Sequence, residues 1–124
     1  MTKGAPGQTR VRVKKLIPGA VVVADFGAGA RYEQQSLRPA VVISSLEYLE
    51  LFSGLVAVMP ATTKNRGWPS HVELRGKTGL SCPTYALTEQ FKVISSMRVR
   101  RVSGVIDSTT QRRLSEWLTL WQEL

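Results

Sequence analysis

One segment concentrates groups able to handle a phosphate. The apolar run Leu55-Val56-Ala57-Val58 leads into Met59-Pro60-Ala61-Thr62-Thr63-Lys64-Asn65-Arg66-Gly67-Trp68-Pro69, which offers two hydroxyls and two cations and no carboxylate. Asn65, Gly67 and Pro69 would also serve a plain connecting turn. Elsewhere the reactive inventory is thin. The chain has one histidine (His71), one cysteine (Cys82) and two aspartates (Asp25 and Asp107). A structural zinc site takes about four His or Cys ligands, and they are missing. No GxxxxGK[ST] or GxGxxG run occurs. For a hydrolytic triad, His71 is the one conventional base. Any catalysis here must therefore work through Arg, Lys, Thr, Ser, Tyr and Glu, and no cofactor is expected.

The elements that must position these groups are short. At 124 residues, 43% apolar and 21% charged, the chain reads as one globular domain. No apolar run approaches the ~20 residues of a membrane span. The start, MTKGAPGQTRVRVKK, has neither the apolar run nor the cleavage site of a signal peptide. A single cysteine excludes an internal disulfide and fits a reducing cytoplasm. The net charge of +8 favours a polyanionic partner, nucleic acid or acidic protein. Five of the seventeen cations (Lys3, Arg10, Arg12, Lys14 and Lys15) lie in the first fifteen residues, which carry no acid. Without them, twelve cations face nine acids.

Residues 1–17 therefore read as a flexible basic arm, and 18–124 as the folded domain. Strands are expected at Ala20 to Phe26, at Pro39 to Ser44 (opened by Pro39), at Leu55 to Met59 and at His71 to Leu74. Leu46 to Phe52 is a helical turn or a loop, and Arg75 to Gly79 a turn. Short strands follow at 81–86 and 91–95, with a last one from about Arg98 to Ile106. The tail predicts a helix at about 108–122, capped by Asp107 or Ser108, with capping-box spacing from Ser108 to Gln111. Its apolar stripe is Leu114, Trp117, Leu118 and Trp121. The result is a mainly β protein with α: a small twisted barrel, or curled sheet, of about five to seven short, mostly antiparallel strands covered by a C-terminal helix.

Four motifs occur in order: G-x-V-V-x-x-D-F from Gly19, E-Q-x-x-x-R-P-A-V-V-I-S from Glu33, V-x-P-x-T-T-x-x-R-G-x-P from Val58, and A-L-T-E-Q-F-K from Ala86. Together they resemble the MazF/PemK toxins, the ribonuclease half of bacterial type II toxin–antitoxin pairs, over about four-fifths of the chain. The resemblance implies an SH3-like barrel acting as a homodimer, sequence-selective and metal-independent cleavage of single-stranded RNA, and a cognate antitoxin with an acidic C-terminal tail. It assigns Arg38 and Thr62 as catalytic, Glu33 as a loop acid supporting activity and Gln90 as a residue near the RNA groove; Thr63, Lys64, Arg66, Trp68 and Lys92 are expected as further RNA contacts from their residue types. The chain departs from the family at Val23 (usually aromatic), Ala20 (commonly acidic), His71 (frequently acidic) and in its longer basic arm. These differences bear on RNA preference and antitoxin contacts more than on cleavage.

Such chemistry needs neither histidine nor metal, because RNA supplies its own nucleophile. The 2′-hydroxyl attacks the adjacent phosphate, leaving a 2′,3′-cyclic phosphate and a 5′-hydroxyl. The protein must align the 2′-oxygen, stabilise the phosphorane and manage two protons. A guanidinium fork suits the second task, and a threonine hydroxyl can donate to a phosphate oxygen. Since arginine keeps its proton at neutral pH, the base falls to Glu33 or a backbone carbonyl.

On residue type alone, simpler roles stand beside these. Arg38 reads as a strand-edge arginine paired with Glu33, Thr62 as a strand-end cap, and Lys64 and Arg66 as solvated loop charges. Trp68 either stacks on a base or anchors its loop in the core. His71 is structural or solvent-facing, Cys82 a small buried hydrophobe, and Trp117 and Trp121 are core. Two rival functions stay open: a non-catalytic gyrase poison of the CcdB type on the same fold, and a non-enzymatic nucleic-acid-binding module dominated by the arm.

Overall fold

The structure, a computed structural model, describes residues 16–27 and 37–123. In these, eight strands and two α-helices follow one another: β1 (Ala20–Asp25), β2 (Leu37–Val42), α1 (Leu46–Leu51), β3 (Leu55–Thr62), β4 (His71–Glu73), β5 (Gly76–Lys77), β6 (Tyr85–Leu87), β7 (Lys92–Ser95), β8 (Val99–Ile106) and α2 (Ser108–Gln122). Every strand pairing is antiparallel, in the order β4-β6-β3-β2-β1-β8-β5. The fold class expected from sequence is the one observed, with one very short strand beyond the expected number. β7 lies off the main path and pairs with the first half of β3, from Leu55 to Val58, while β6 pairs with Ala61 and Thr62. One stretch of chain, broken by a 3₁₀ turn at Thr88–Gln90, thus serves both halves of β3.

β4 and β5 are the two ends of the strand order, yet only Leu74 and Arg75 separate them. The sheet must curl until its edges meet in one bent segment. Flanking bonds extend both pairings across the bend: Leu74 N–H donates to Thr84 O at 2.8 Å, and Asp107 N–H to Arg75 O at 2.8 Å. Gly76 makes the bend possible. Its φ of 119° is disfavoured for side-chain-bearing residues, and a Cβ there would lie 2.5 Å from the Asp107 nitrogen.

Alternation along the strands divides the buried residues between two faces. On one, Val21, Val41, Met59, Ala61, Val72, Ala86 and Ile106 pack with Leu114 of α2, flanked by Trp117 and Leu118. On the other, Ala20, Val22, Ala24, Ala40, Val42, Val56, Val58, Ile94 and Val99 form a second cluster, closed by Leu16, Phe26 and Leu49. The expected stripe on α2 is therefore real for Leu114, Trp117 and Leu118, of which only Leu114 is fully buried; Trp121, expected in the core, lies outside both clusters, half-buried and stacked on Trp117.

Several expectations need correction. Residues 1–15 lie outside the described residues, but Leu16 and Ile17 belong to the folded part: Leu16 packs on the second cluster and Ile17 O accepts from Ala20 N–H. β2 begins at Leu37, so Pro39 is its third residue, and the ladder to β3 starts only after it, at Ala40. β3 runs on through Pro60 to Thr62. The segment expected to be a turn at 75–79 contains β5, which two ladder pairs with β8 define. Residues 81–84 are not strand; pairing starts at Tyr85. Asp107 alone caps α2, accepting from Thr110 N–H at 2.8 Å, and no Ser108–Gln111 capping box forms. Cys82 is exposed, not buried.

Candidate functional site

The β2–β3 ladder pairs Ala40 with Pro60, Val41 with Met59 and Val42 with Val58. The ladder ends there: Arg38 lies two residues before Ala40 on β2, and Thr62 two residues beyond Pro60 on β3. Thr62 in turn pairs with Tyr85, and Tyr85 with Glu73. Directly opposed residues of antiparallel strands share a face. Thr62, Tyr85 and Glu73 therefore form one row on the face opposite α2, and alternation puts Arg38 on the same face of β2. Arg38 is exposed and Thr62 and Tyr85 are half-buried, so this face opens to solvent toward Arg38. At the other end Arg75 Nη2 donates to Glu73 Oε1 at 2.9 Å. Glu33 lies outside the described residues.

The loop leaving Thr62 is ordered by its own side chains. Lys64 N–H donates to Thr62 Oγ1 at 3.2 Å and Gly67 N–H to Asn65 Oδ1 at 3.0 Å, two local turns of the kind such residues favour. Thr63, Lys64 and Arg66 are exposed along it. The loop closes where His71 N–H donates to Trp68 O at 3.0 Å.

Trp68 neither enters the core nor stands clear of the protein. Its ring stacks on His71 with centroids 4.7 Å apart and planes at 28°, leaving it 52% exposed. The His71 side chain is only 2% exposed, and its Nε2–H donates to Glu89 Oε2 at 3.0 Å. Its Nδ1 is buried without a hydrogen-bond partner among the described residues. Ser70 Oγ donates to the other Glu89 oxygen at 3.3 Å. Burial pushes the Glu89 carboxyl upward, but hydrogen bonds from its own backbone N–H, His71 and Ser70 outweigh this and hold it below its ordinary value. Thr88 Oγ1 donates to Ser70 O at 2.7 Å and accepts from Trp121 Nε1 at 3.0 Å. The loop's far end is thereby tied to α2.

Gln90 and Lys92 sit apart from this row. Gln90 is exposed on the 3₁₀ turn. Lys92 pairs with Val58, four residues down β3 from Thr62 and so roughly 14 Å along the strand, with its Nζ 5.3 Å from the centre of the Phe26 ring. A second cationic cluster lies where β1 ends: Arg100 Nη2 meets Asp25 Oδ2 at 3.2 Å, and Arg98 Nη1 donates to Asp25 O at 3.0 Å. Among the described residues no group of three His, Cys, Asp or Glu side chains could hold a metal ion, and no helix is long and apolar enough to cross a membrane.

Of the residues singled out from sequence, then, Arg38 and Thr62 lie on neighbouring strands, on one face and past the same end of the β2–β3 ladder, and Thr63, Lys64, Arg66 and Trp68 share the loop that leaves Thr62. Sequence reasoning missed Tyr85 and the support under Trp68. Tyr85 gains significance only from the register. Glu89 carries no signal until the fold brings it to His71.

A search of curated proteins finds no match. A family model for the PemK-like, MazF-like toxin of type II toxin–antitoxin systems matches residues 17–121. Among solved structures, MazF from Deinococcus radiodurans (Form-I) is similar at 23% identity, covering 88% of this chain and 97% of its own, with a TM-score of 0.72. An endoribonuclease in complex with its cognate antitoxin, from a Mycobacterial species, is similar at 17% identity, covering 89% and 97%, with a TM-score of 0.71. The Mycobacterium tuberculosis toxin MazF-mt6 is similar at 19% identity, covering 85% and 97%, with a TM-score of 0.68. These likenesses concern the fold, whereas the family model spans most of the sequence: the chain belongs to the PemK-like, MazF-like toxins of type II toxin–antitoxin systems.

Proposed function

We propose that this toxin is an endoribonuclease that cuts single-stranded RNA at selected sequences without a metal ion. What supports this reading is the β2–β3 pairing, past whose Ala40–Pro60 end one strand carries an exposed arginine and the other a strand-end hydroxyl at the root of a cationic loop. The scissile phosphate lies between Arg38 and Thr62. The guanidinium fork takes two non-bridging oxygens, and Thr62 donates to the phosphate or the 2′-oxygen. As the 2′-oxygen bonds to phosphorus, its proton passes to a base, either Glu33 or a backbone carbonyl. The P–O5′ bond breaks and the departing 5′-oxygen takes up a proton, from Arg38 or solvent. Lys64 and Arg66 hold neighbouring phosphates, while Gln90 and Lys92 contact the strand further along.

The partners follow the same reading. A cognate antitoxin presents an acidic C-terminal tail to the cationic surface, consistent with the net charge of +8. The working form is a cytoplasmic homodimer; exposed Leu51, Leu55, Val93 and Met97 supply apolar surface for a second copy to cover. A solved endoribonuclease and an endoribonuclease–antitoxin complex of the same fold support the assignment.

The test is incubation of the protein with end-labelled single-stranded RNA in EDTA, followed by mass analysis of the fragments. Cyclic 2′,3′-phosphate and 5′-hydroxyl ends are expected. Cutting that requires added metal, or 5′-phosphate ends, would overturn the mechanism. Binding without cutting would favour a non-enzymatic module, and gyrase inhibition with intact RNA a gyrase poison.

A further inference from the structure

Three observations on the loop after β3 are not explained by phosphate chemistry. A tryptophan half-open to solvent is stacked on a histidine that is nearly inaccessible. The histidine is held by a carboxylate whose two oxygens serve His71 and Ser70. And Ser70 is clamped from behind by Thr88, itself bonded to Trp121. A tryptophan serving only to close the loop would gain more by burying both faces of its ring. Here one face is supported and a large part of the ring stays open.

Position adds the second argument. His71 pairs with Leu87 while Thr62 pairs with Tyr85, so His71 lies two strands across and two residues along from Thr62, about 12 Å away. Alternation puts His71 on the same face as Glu73, Tyr85, Thr62 and Arg38. Trp68 therefore rises over the face where the phosphate would lie, within a few nucleotides of it.

Resting on the endoribonuclease reading, we infer that Trp68, backed by His71 and Glu89, is a pre-set platform on which one unpaired nucleobase beside the cleavage site stacks. Trp68 touches the base; His71 and Glu89 are positioning residues. His71 fills the underside of the ring, so the indole meets a base without first being immobilised, and the ordering cost falls on folding instead of binding. Aromatic stacking accepts any base, so the platform adds affinity at a fixed distance from the cut without choosing the sequence. The hydrogen bond to Glu89 fixes the histidine ring plane, and the Thr88–Trp121 link fixes the strand that carries it.

The test uses short single-stranded RNAs containing the cleavage site, each with one abasic nucleotide at a successive flanking position. They are cleaved by the wild type and by Trp68→Ala, Trp68→Phe, His71→Ala and His71→Phe, all checked for an intact fold by thermal melting. One abasic position should raise the wild-type KM about tenfold or more with kcat little changed, and Trp68→Ala should erase that penalty while raising KM on intact RNA to match. His71→Ala should reproduce the KM rise, and Trp68→Phe and His71→Phe, which keep a ring in place, should recover most of it. If every abasic penalty survives in Trp68→Ala, the platform is refuted while the nuclease reading stands. A second arm is independent of cleavage: RNA carrying a 2′-deoxy residue at the attacking position should quench tryptophan fluorescence in the wild type and not in Trp68→Phe. That quench without any cutting of normal RNA would uphold the platform and remove the nuclease reading. Equal quenching in both proteins would refute the platform.

Discussion

Replacing Arg38 and Thr62 should separate catalysis from folding, and replacing both should reveal whether they hold one phosphate. Arg38 is exposed, and its side chain makes no hydrogen bond or ion pair with a described residue. Arg38→Ala therefore removes no native partner among them, and its effect on stability should stay within about 0.5 kcal/mol. For a chain of this length that is a Tm shift of roughly 2 °C. The catalytic loss is of another order. Removing one donor aimed at developing negative charge typically costs about 10²–10³ in kcat. Arg38→Lys should recover little, because a point charge cannot replace the planar fork; Thr62→Ser should recover most of what Thr62→Val loses. Independent losses would multiply to roughly 10⁴–10⁶, whereas groups acting as a unit lose little more together than the worse one alone. If both hold one phosphate, the pair should behave as a unit, the double variant falling only about 10²–10³. Single-turnover cleavage of labelled RNA in EDTA, with melting curves in parallel, measures both quantities. Multiplicative losses would refute the shared phosphate, and an Arg38→Ala protein within about threefold of wild type would refute the site.

Other outcomes follow from the packing. Gly76→Ala puts a Cβ 2.5 Å from the Asp107 nitrogen at a φ of 119°, so it should cost at least about 3 kcal/mol and appear in a denaturant titration as a lower midpoint. Glu89→Ala leaves the His71 Nε2–H buried without an acceptor, a loss of about 1–3 kcal/mol, seen as a Tm several degrees lower. The Asp107 carboxyl is held below its ordinary value, first by the Thr110 side chain, then by the Thr110 N–H and the Arg75 charge, and Glu89 is also lowered. Depressed carboxyls stabilise the fold fully above their unfolded pKa values, about 4, and that stability fades as pH falls through the folded values. Stability should therefore drop in acid below about pH 4, and Asp107→Asn should flatten part of the drop. Removing residues 1–15, with five cations, should make the log–log salt slope of RNA binding shallower, by about 0.7 for each phosphate left unneutralised, while the cleavage position stays unchanged.

How far the sequence foretold the molecule can be judged strand by strand. β1, β2 and β3 announce themselves as β-branched runs because both of their faces are covered in the fold. The α2 stripe is visible at 3.6-residue spacing because one face of the helix is covered and the other is exposed. β5 is different: Gly-Lys is a strand only because β8 lies beside it, and locally the segment has turn chemistry. Arg38 and Thr62 were singled out through their motifs, but that they lie on neighbouring strands past the same end of one ladder is not encoded in sequence spacing. The His71–Glu89 bond joins residues 18 apart across two strands, and no pattern in either segment announces it. Cys82 departs from expectation because residue type speaks for average burial, whereas this cysteine sits in a segment that no strand covers.

The union of β1 with β8 has a consequence for how the protein comes into being. Val21 and Ser103, joined by a hydrogen bond, are 82 residues apart, and at about 5–20 residues per second a ribosome needs roughly 4–16 s to make that interval. For those seconds the nascent polypeptide lacks the strand that β1 must meet, and its first sheet stays incomplete whatever its early segments prefer. A sheet built this way closes only after β8 has been made.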